Sequence, residues 1–159
     1  MAPEKTDLSD KRGPPQRLPL PYELAVAQVK DYAIYVVDEK GRAASWNEGV
    51  RNVLGWDEAE WIGQPAYVLF PPEDTAAAER ELETARSEGL ANNDRWLVRR
   101  DGTLFFAYGT TTAIYGDGRI VGFLKVLRDR TLEHEREEAL AQERERLSLA
   151  LEAANAIAW

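Results

Sequence analysis

The apolar positions of the chain fall into short runs whose spacing changes from strand-like to helix-like and back. Branched and aromatic residues in continuous or alternating runs, bounded by turns such as Asp38–Gly41 and Gly116–Gly118, are typical of strands. This pattern predicts five strands, over residues 33–37, 42–46, 94–100, 104–114 and 119–128. Two strands, a helical block and three further strands favour an antiparallel sheet with helices on one face, the α+β class.

Helical spacing separates the two groups of strands. Short helices are predicted over residues 22–30, 47–54 and 57–63. Asn47 is predicted to cap the second, because its side chain can bond free amides of the first turn. A longer helix is predicted from Pro71 to about Ser87, since proline and acidic residues suit a first helical turn.

The segment from Leu132 to about Ala153 contains no glycine or proline and predicts one long helix of about 33 Å at 1.5 Å per residue. Its apolar positions include Leu140, Leu147 and Leu151, which have the spacing of a coiled-coil seam. We expect this seam and the helix over residues 22–30 to support a homodimer. The outer face of an antiparallel sheet needs a cover of this kind.

Composition narrows the classes of function. With 44% apolar residues the chain suits a globular domain, and its net charge of −8 argues against nucleic-acid binding and against docking on an anionic membrane. The chain has no cysteine, which excludes disulfides and thiolate chemistry. No apolar run approaches the roughly 20 residues that cross a bilayer, and the N-terminus lacks a signal-peptide pattern, so we expect a soluble cytoplasmic protein.

The segment from about Val26 to Leu132 resembles the PAS domains of bacterial sensor proteins of the sensor histidine kinase type. No single motif is specific to the family. The resemblance rests on several short segments that occur in the family's order along the chain. The segments are Asp31–Asp38 with Gly41, Ser45–Asn47, Leu54–Trp56, Glu60–Gln64, Phe70–Asp74, Arg99–Thr103, Val121–Phe123 and Arg128–Thr131.

This resemblance divides the chain into three parts. Residues 1–21 hold five of the eight prolines and predict a flexible arm. Residues 22–131 form the PAS sensory domain, and residues 132–159 form a linker helix with the opening of a second sensory domain. The resemblance therefore implies a piece of a longer signalling protein, with a histidine kinase or cyclic-dinucleotide enzyme elsewhere in the same chain.

Asp129 and Thr131 match the Asp-x-Thr motif at which the last PAS strand meets a signalling helix. The resemblance implies that they transmit a signal from the sheet to that helix. Either residue can cap the start of the helix, and Asp129 can also pair with a basic group on the domain, which would couple the two. The alternative is that both residues are only a helix cap.

The resemblance also places a ligand pocket between the sheet and the helices. Its candidate lining is aromatic or apolar: Tyr67, Phe70, Leu82, Trp96, Phe106 and Tyr108. A plain hydrophobic core is the alternative for these side chains. The pattern leaves open whether Phe105 or Phe106 points inward, because both are apolar.

Cofactor chemistry is restricted by residue type. The lack of cysteine excludes the flavin–cysteinyl photochemistry of the family, and the lack of histidine in residues 73–88 argues against haem. Trp96 with Asn92 and Asn93 leaves non-covalent flavin open, and a small metabolite is the other option. His134, the only histidine, is expected to face solvent, and one histidine among carboxylates does not make a metal site.

No nucleophile elbow, phosphate loop or metalloprotease motif is present, so we expect no catalysis by this segment. Two hypotheses remain open. The chain is either a sensory module that responds to a ligand or partner, or a ligand-free module for dimerisation and spacing.

Overall fold

The computed structural model of the protein describes residues 21–158. All but one residue of the predicted arm over residues 1–21, and the final Trp159, lie outside the described residues. Within residues 21–158, no helix is long and apolar enough to cross a membrane.

The described chain places a block of helical segments between its first strand and the other four, and ends in a long helix. In order, its elements are α1 (Tyr22–Ala27), β1 (Ala33–Val37), α2 (Glu58–Trp61), α3 (Ala76–Glu88), β2 (Leu90–Asn92), β3 (Arg95–Val98), β4 (Leu104–Gly116), β5 (Arg119–Asp129) and α4 (Thr131–Ile157). A π-helical turn at Val50–Leu54 and 3-10 turns at Ala66–Leu69 and Pro72–Asp74 complete the helical block.

The strands form one antiparallel sheet in which β5 lies between β1 and β4. The far edge of β4 pairs with both short strands, β2 at Thr110–Thr112 and β3 at Leu104–Ala107. This is the five-stranded antiparallel α+β fold that the sequence predicts. The register places Lys125 of β5 between Tyr35 of β1 and Thr111 of β4.

The predicted strand over residues 42–46 is wrong, because the returning chain makes only isolated bridges such as Val37 to Ala43. Side chains bond the free edge of β1 instead. The amide of Val36 donates to Ser45 Oγ at 2.7 Å, and the amide of Ile34 donates to Asn47 Oδ1 at 3.0 Å. The fifth strand is β2, whose three residues give too little apolar signal to be predicted.

Glycines mark the ends of two helical segments. Gly55 and Gly89 have φ angles of 80° and 85°, which glycine adopts without steric cost, and they end the π-helical turn and α3. The helix predicted from Pro71 is split, because α3 begins only at Ala76 after a separate 3-10 turn. The C-terminal helix is longer than predicted and reaches Ile157.

The core lies between one face of the sheet and the helical block. Tyr35 and Trp61 meet there edge to face, with ring centroids 4.9 Å apart and planes at 86°. Phe105 is 0% exposed, so strand alternation directs Phe106 to the opposite face. Burying each large apolar side chain contributes about 1.5–3 kcal/mol, which makes this layer the main source of stability.

Candidate functional site at the exit of the sheet

The carboxylate of Asp129 joins the end of the sheet to the start of α4. Asp129 is the last residue of β5, and its Oδ1 accepts hydrogen bonds from the Thr131 amide at 2.9 Å and the Thr131 hydroxyl at 2.5 Å. Its Oδ2 forms an ion pair with Nη2 of Arg99. The predicted bonds to the helix start and to a basic group are present, while a role in transmission stays a prediction.

The side chain of Arg99 extends this connection to the helical block. Its Nε donates to the Val53 carbonyl at 3.1 Å, and its Nη1 donates to Thr103 Oγ1 at 3.2 Å. The guanidinium carbon lies 4.7 Å from the ring centroid of Phe105, a cation–π geometry. One side chain therefore contacts the π-helical turn, the β3–β4 turn and, through Asp129, the base of α4.

Hydrogen bonds to Phe106 attach the first turn of α4 to β4. The amide of Phe106 donates to Thr131 Oγ1 at 2.9 Å, and the amide of Arg130 donates to the Phe106 carbonyl at 2.8 Å. The Thr131 hydroxyl thus donates to Asp129 and accepts from Phe106. A valine of the same shape would lose both bonds, so the position requires a hydroxyl.

The imidazole of His134 lies against the outer face of the sheet. It stacks on the Phe106 ring, with centroids 3.7 Å apart and planes at 10°, and meets Trp96 edge-on at 5.5 Å. Its side chain is 23% exposed, so the prediction that His134 faces solvent is wrong. The physical reason is helical periodicity, because a residue three positions after Thr131 returns to the same face of α4.

Two of the predicted pocket residues, Phe70 and Leu82, are buried in the interior, each 4% exposed. Tyr67 is 54% exposed and points away from that interior. Of the three predicted lining residues outside the strands, Phe70 and Leu82 therefore face the space between sheet and helices, and Tyr67 does not.

The strand half of the predicted pocket lies on the opposite face. Trp96 and Tyr108 are 38% and 47% exposed, and Phe106 projects with them toward α4. Because side chains alternate along a strand, the interior position of Phe105 forces these residues outward. The predicted lining is therefore wrong as a set, since its members are divided between the two faces.

A buried charge pair occupies the interior beside Phe70. Lys125 Nζ lies 2.6 Å from Glu81 Oε1, and both side chains are at most 1% exposed. The Thr111 hydroxyl donates to the same oxygen of Glu81. Buried charges persist only when paired and hydrogen-bonded, as here. Glu81 comes from α3 and Lys125 from β5, so the pair ties the long helix to the sheet.

Several buried polar atoms, including one oxygen of Glu81, have no hydrogen-bond partner among the described residues. They are Tyr35 Oη, Glu81 Oε2, Arg95 Nε and both side-chain polar atoms of Asn93. Arg95 Nε lies 3.9 Å from Glu81 Oε2. Burial, followed by the nearby Glu81 carboxylate, raises the pKa of Tyr35. Such atoms are positions where water or a small polar molecule can bind.

The residues considered for a flavin do not converge on one site. Trp96 and Asn92 are exposed, whereas Asn93 is 0% exposed. The flavin arrangement considered from the sequence therefore does not fit this chain. Across residues 21–158, no three or more histidine, aspartate or glutamate side chains cluster as they would around a metal ion.

Asn47 has a wider role than the predicted cap. Its Oδ1 accepts from the Val50 amide at 3.1 Å, as predicted for a cap, and also from the Ile34 amide. Its Nδ2 lies 3.0–3.2 Å from three carbonyl oxygens, those of Val26, Val29 and Tyr32. This side chain holds α1, β1 and the helical block together, and no local sequence signal indicates it.

The predicted seam residues are all exposed in the single chain. Leu140, Leu147 and Leu151 are 54%, 52% and 66% exposed, and every residue from 135 to 158 is exposed. The seam thus stays a prediction about association.

Comparison with known proteins agrees with this geometry. A family model described as "PAS fold" matches residues 28–130. The chain is 40% identical over 122 residues to two-component system protein A of Emericella nidulans, an alignment that covers 76% of this chain and 17% of that protein. The chain therefore spans about a sixth of the length of this curated relative.

Solved structures share the fold. A PAS domain from Colwellia psychrerythraea superposes with a TM-score of 0.65 at 28% identity, covering 69% of this chain and 94% of that one. The PAS domain of a LuxR-family transcriptional regulator from Burkholderia thailandensis, solved in complex with ethanol, superposes with a TM-score of 0.59. The two sequences are 19% identical, and the superposition covers 70% of this chain and 98% of the other.

Proposed function

The chain belongs to the PAS fold family, and from this we propose that it is a sensory module of a multidomain signalling protein. In this proposal, the state of the sheet passes through Asp129-Arg130-Thr131 to α4. The output is a histidine kinase or cyclic-dinucleotide enzyme elsewhere in the parent chain, and residues 132–159 connect toward it. The alignment covers only 17% of the two-component relative, which supports a parent protein with further domains.

The single observation that carries this proposal is the two-sided bonding of Asp129. One oxygen bonds the first amide and hydroxyl of α4, and the other pairs with Arg99. Because Arg99 also bonds the Val53 carbonyl, a shift of the helical block against the sheet pulls on the group that caps α4. A cap alone would need only one of these oxygens.

We place the module in the cytoplasm as a homodimer that contacts neither nucleic acid nor membrane, and assign no catalysis to the segment itself. Its net charge of −8 supports the lack of nucleic-acid and membrane contact, and the exposed leucines of α4 support the dimer.

The stimulus that we propose is a small metabolite bound in the interior. The unpartnered atoms of Tyr35, Glu81 and Asn93 support a polar ligand there. A similar fold solved with ethanol offers a precedent for a small polar molecule in complex with a PAS domain.

A ligand-free dimerisation module is the second candidate, and the filling of the interior favours it. Trp61, Tyr35, Phe105 and Phe123 are fully buried there, and the charge pair of Glu81 and Lys125 lies among them. In that case the same fold and seam would set the spacing of the parent's domains without sensing.

The absorption spectrum and native mass of the freshly purified protein separate the two candidates. A coloured protein, or one heavier than its sequence mass by a discrete amount, supports sensing. A colourless protein at its sequence mass favours the ligand-free candidate.

Transmission is tested in the intact parent with Asp129→Ala and the matched variant Asp129→Asn. We expect Asp129→Ala to change output far more than it lowers the melting temperature. Asp129→Asn, which keeps an acceptor for Thr131 but loses the charge for Arg99, should have an intermediate effect. Parallel losses of output and stability would reduce Asp129 to a structural cap.

A further inference from the structure

Three aromatic rings hold α4 against the outer face of the sheet. His134 of α4 stacks on Phe106, and Trp96 packs edge-on against both, 5.5 Å from His134 and 5.4 Å from Phe106. Trp96 and Phe106 are direct cross-strand partners on β3 and β4. Aromatic pairs in these geometries attract one another beyond the area that they bury.

His134 is the last residue of α4 in this contact. Thr131 is bound to β4 and Asp129, and every described residue beyond His134 is exposed. Two fixed points define the direction of a rod. Thr131 holds the base of α4. Beyond His134, the helix reaches the domain through one exposed ion pair among the described residues, between Glu137 and Arg130 at 3.4 Å.

The distances along the helix make this angle sensitive. At 1.5 Å per residue, His134 lies about 4.5 Å beyond Thr131 and Ile157 about 39 Å beyond it. With Thr131 as the pivot, a sideways shift at His134 is enlarged about ninefold at Ile157. A small movement of one ring therefore redirects the far end of α4.

The surroundings of His134 leave room for such a movement. Open clefts of about 420 and 200 Å³ flank the ring, bounded by side chains of α4 on one side and by Asp94 and Tyr108 on the other. Its only ion-pair contact among the described residues is loose, because Nε2 lies 4.0 Å from Glu138 Oε1. The ring is held by stacking and not enclosed by the core.

We propose that Trp96, Phe106 and His134 form a latch that sets the direction of α4, and that displacement of His134 from Phe106 is the movement by which the outer face of the sheet redirects the helix. The latch rests on the proposed coupling of the sheet to α4. It assigns the change in the direction of α4 to one contact, that of His134 with Phe106. His134 acts as a positioning residue in this device.

The test measures the direction of α4 in the full chain. Because the protein has no cysteine, Thr112→Cys on the exposed face of β4 and Ser148→Cys on α4 can carry two spin labels. Labelled chains diluted with unlabelled ones report the distance within one chain. The latched helix should give one narrow distance distribution.

His134→Ala should broaden that distribution about twofold or more, because motion at residue 134 is enlarged about sixfold at residue 148. His134→Phe keeps a flat ring on Phe106 and should leave it narrow. Arg136→Gln, at an exposed position of the same helix, serves as the matched control and should also leave it narrow. The melting temperature of each variant checks that the sheet remains folded.

An unchanged distribution in His134→Ala overturns the latch, as does equal broadening in His134→Phe. Asp129→Ala in the same labelled background separates the two proposals. If it loosens α4 while His134→Ala does not, the coupling stands and the latch fails. If neither variant loosens α4, both fail.

Discussion

Asp129 and Arg99 form an ion pair that closes the gap between the end of β5 and the end of β3. The pair is partly shielded from water, with side chains 36% and 25% exposed, respectively. The same Asp129 bonds the first amide of α4, so the pair lies between the body of the domain and this helix.

A double-mutant cycle on this pair should give a coupling free energy of about 1 kcal/mol, the upper part of the range for partly exposed pairs. Arg99→Ala, Asp129→Ala and the double variant are compared by urea unfolding. The pair of Arg80 and Asp74, with side chains 67% and 49% exposed, is the control and should couple more weakly. Equal coupling in both pairs would remove any special role for Arg99.

Lys125→Met should destabilise the fold by about 3–5 kcal/mol, because it leaves the Glu81 carboxylate buried without its partner. Adding Glu81→Gln should recover part of this loss, since no buried charge then remains. Lys40→Met at an exposed turn is the control and should change stability little. A small loss in Lys125→Met, measured by chemical denaturation, would mean that water reaches the pair.

Tyr35→Phe tests the raised pKa of Tyr35 through the alkaline stability of the protein. Burial and the Glu81 carboxylate raise this pKa in the folded state, so above about pH 10 the unfolded chain loses this proton first. The folded state then binds more protons, and the free energy of unfolding falls as pH rises.

The Tyr35→Phe protein should therefore lose less stability between neutral and strongly alkaline pH than the wild type. At neutral pH the change should be small, because the Tyr35 hydroxyl has no hydrogen-bond partner among the described residues. Identical alkaline profiles for the two proteins would contradict this explanation.

Leu147→Glu should weaken association, because it places a charge in the predicted seam of Leu140, Leu147 and Leu151. Sedimentation equilibrium should give a lower mass at the same concentration. Leu149→Glu is the matched control, since Leu149 is similarly exposed but lies on another side of α4. If both variants keep the wild-type mass, the seam does not hold the dimer.

The junction was predictable because its signals are local. Asp129 and Thr131 lie two residues apart. A carboxylate just before a helix can accept a hydrogen bond from an amide of the first turn without help from distant parts of the fold, as Asp129 does from Thr131. The sequence predicts a basic partner for Asp129 but does not identify it as Arg99. That pairing depends on how the ends of β3 and β5 meet in space.

The outer face was mispredicted because two adjacent aromatics cancel the alternation signal. With Phe105 and Phe106 both apolar, either could face inward, and the choice moves Trp96 and Tyr108 with it. The burial of Lys125 is equally hard to predict, since both of its neighbours in sequence, Leu124 and Val126, are apolar. Only its partner on α3, distant in sequence, explains its position.

The exposed length of α4 has a geometric consequence for anything attached beyond it. Each residue added to a helix rotates the attached domain by about 100° around the helix axis. An insertion of one heptad restores the original facing to within about 20°, whereas an insertion of two residues turns it to nearly the opposite side. The length of such a helix therefore sets the orientation of an attached domain around the helix axis as well as its distance. The number of residues would decide which surface of that domain faces a neighbouring one.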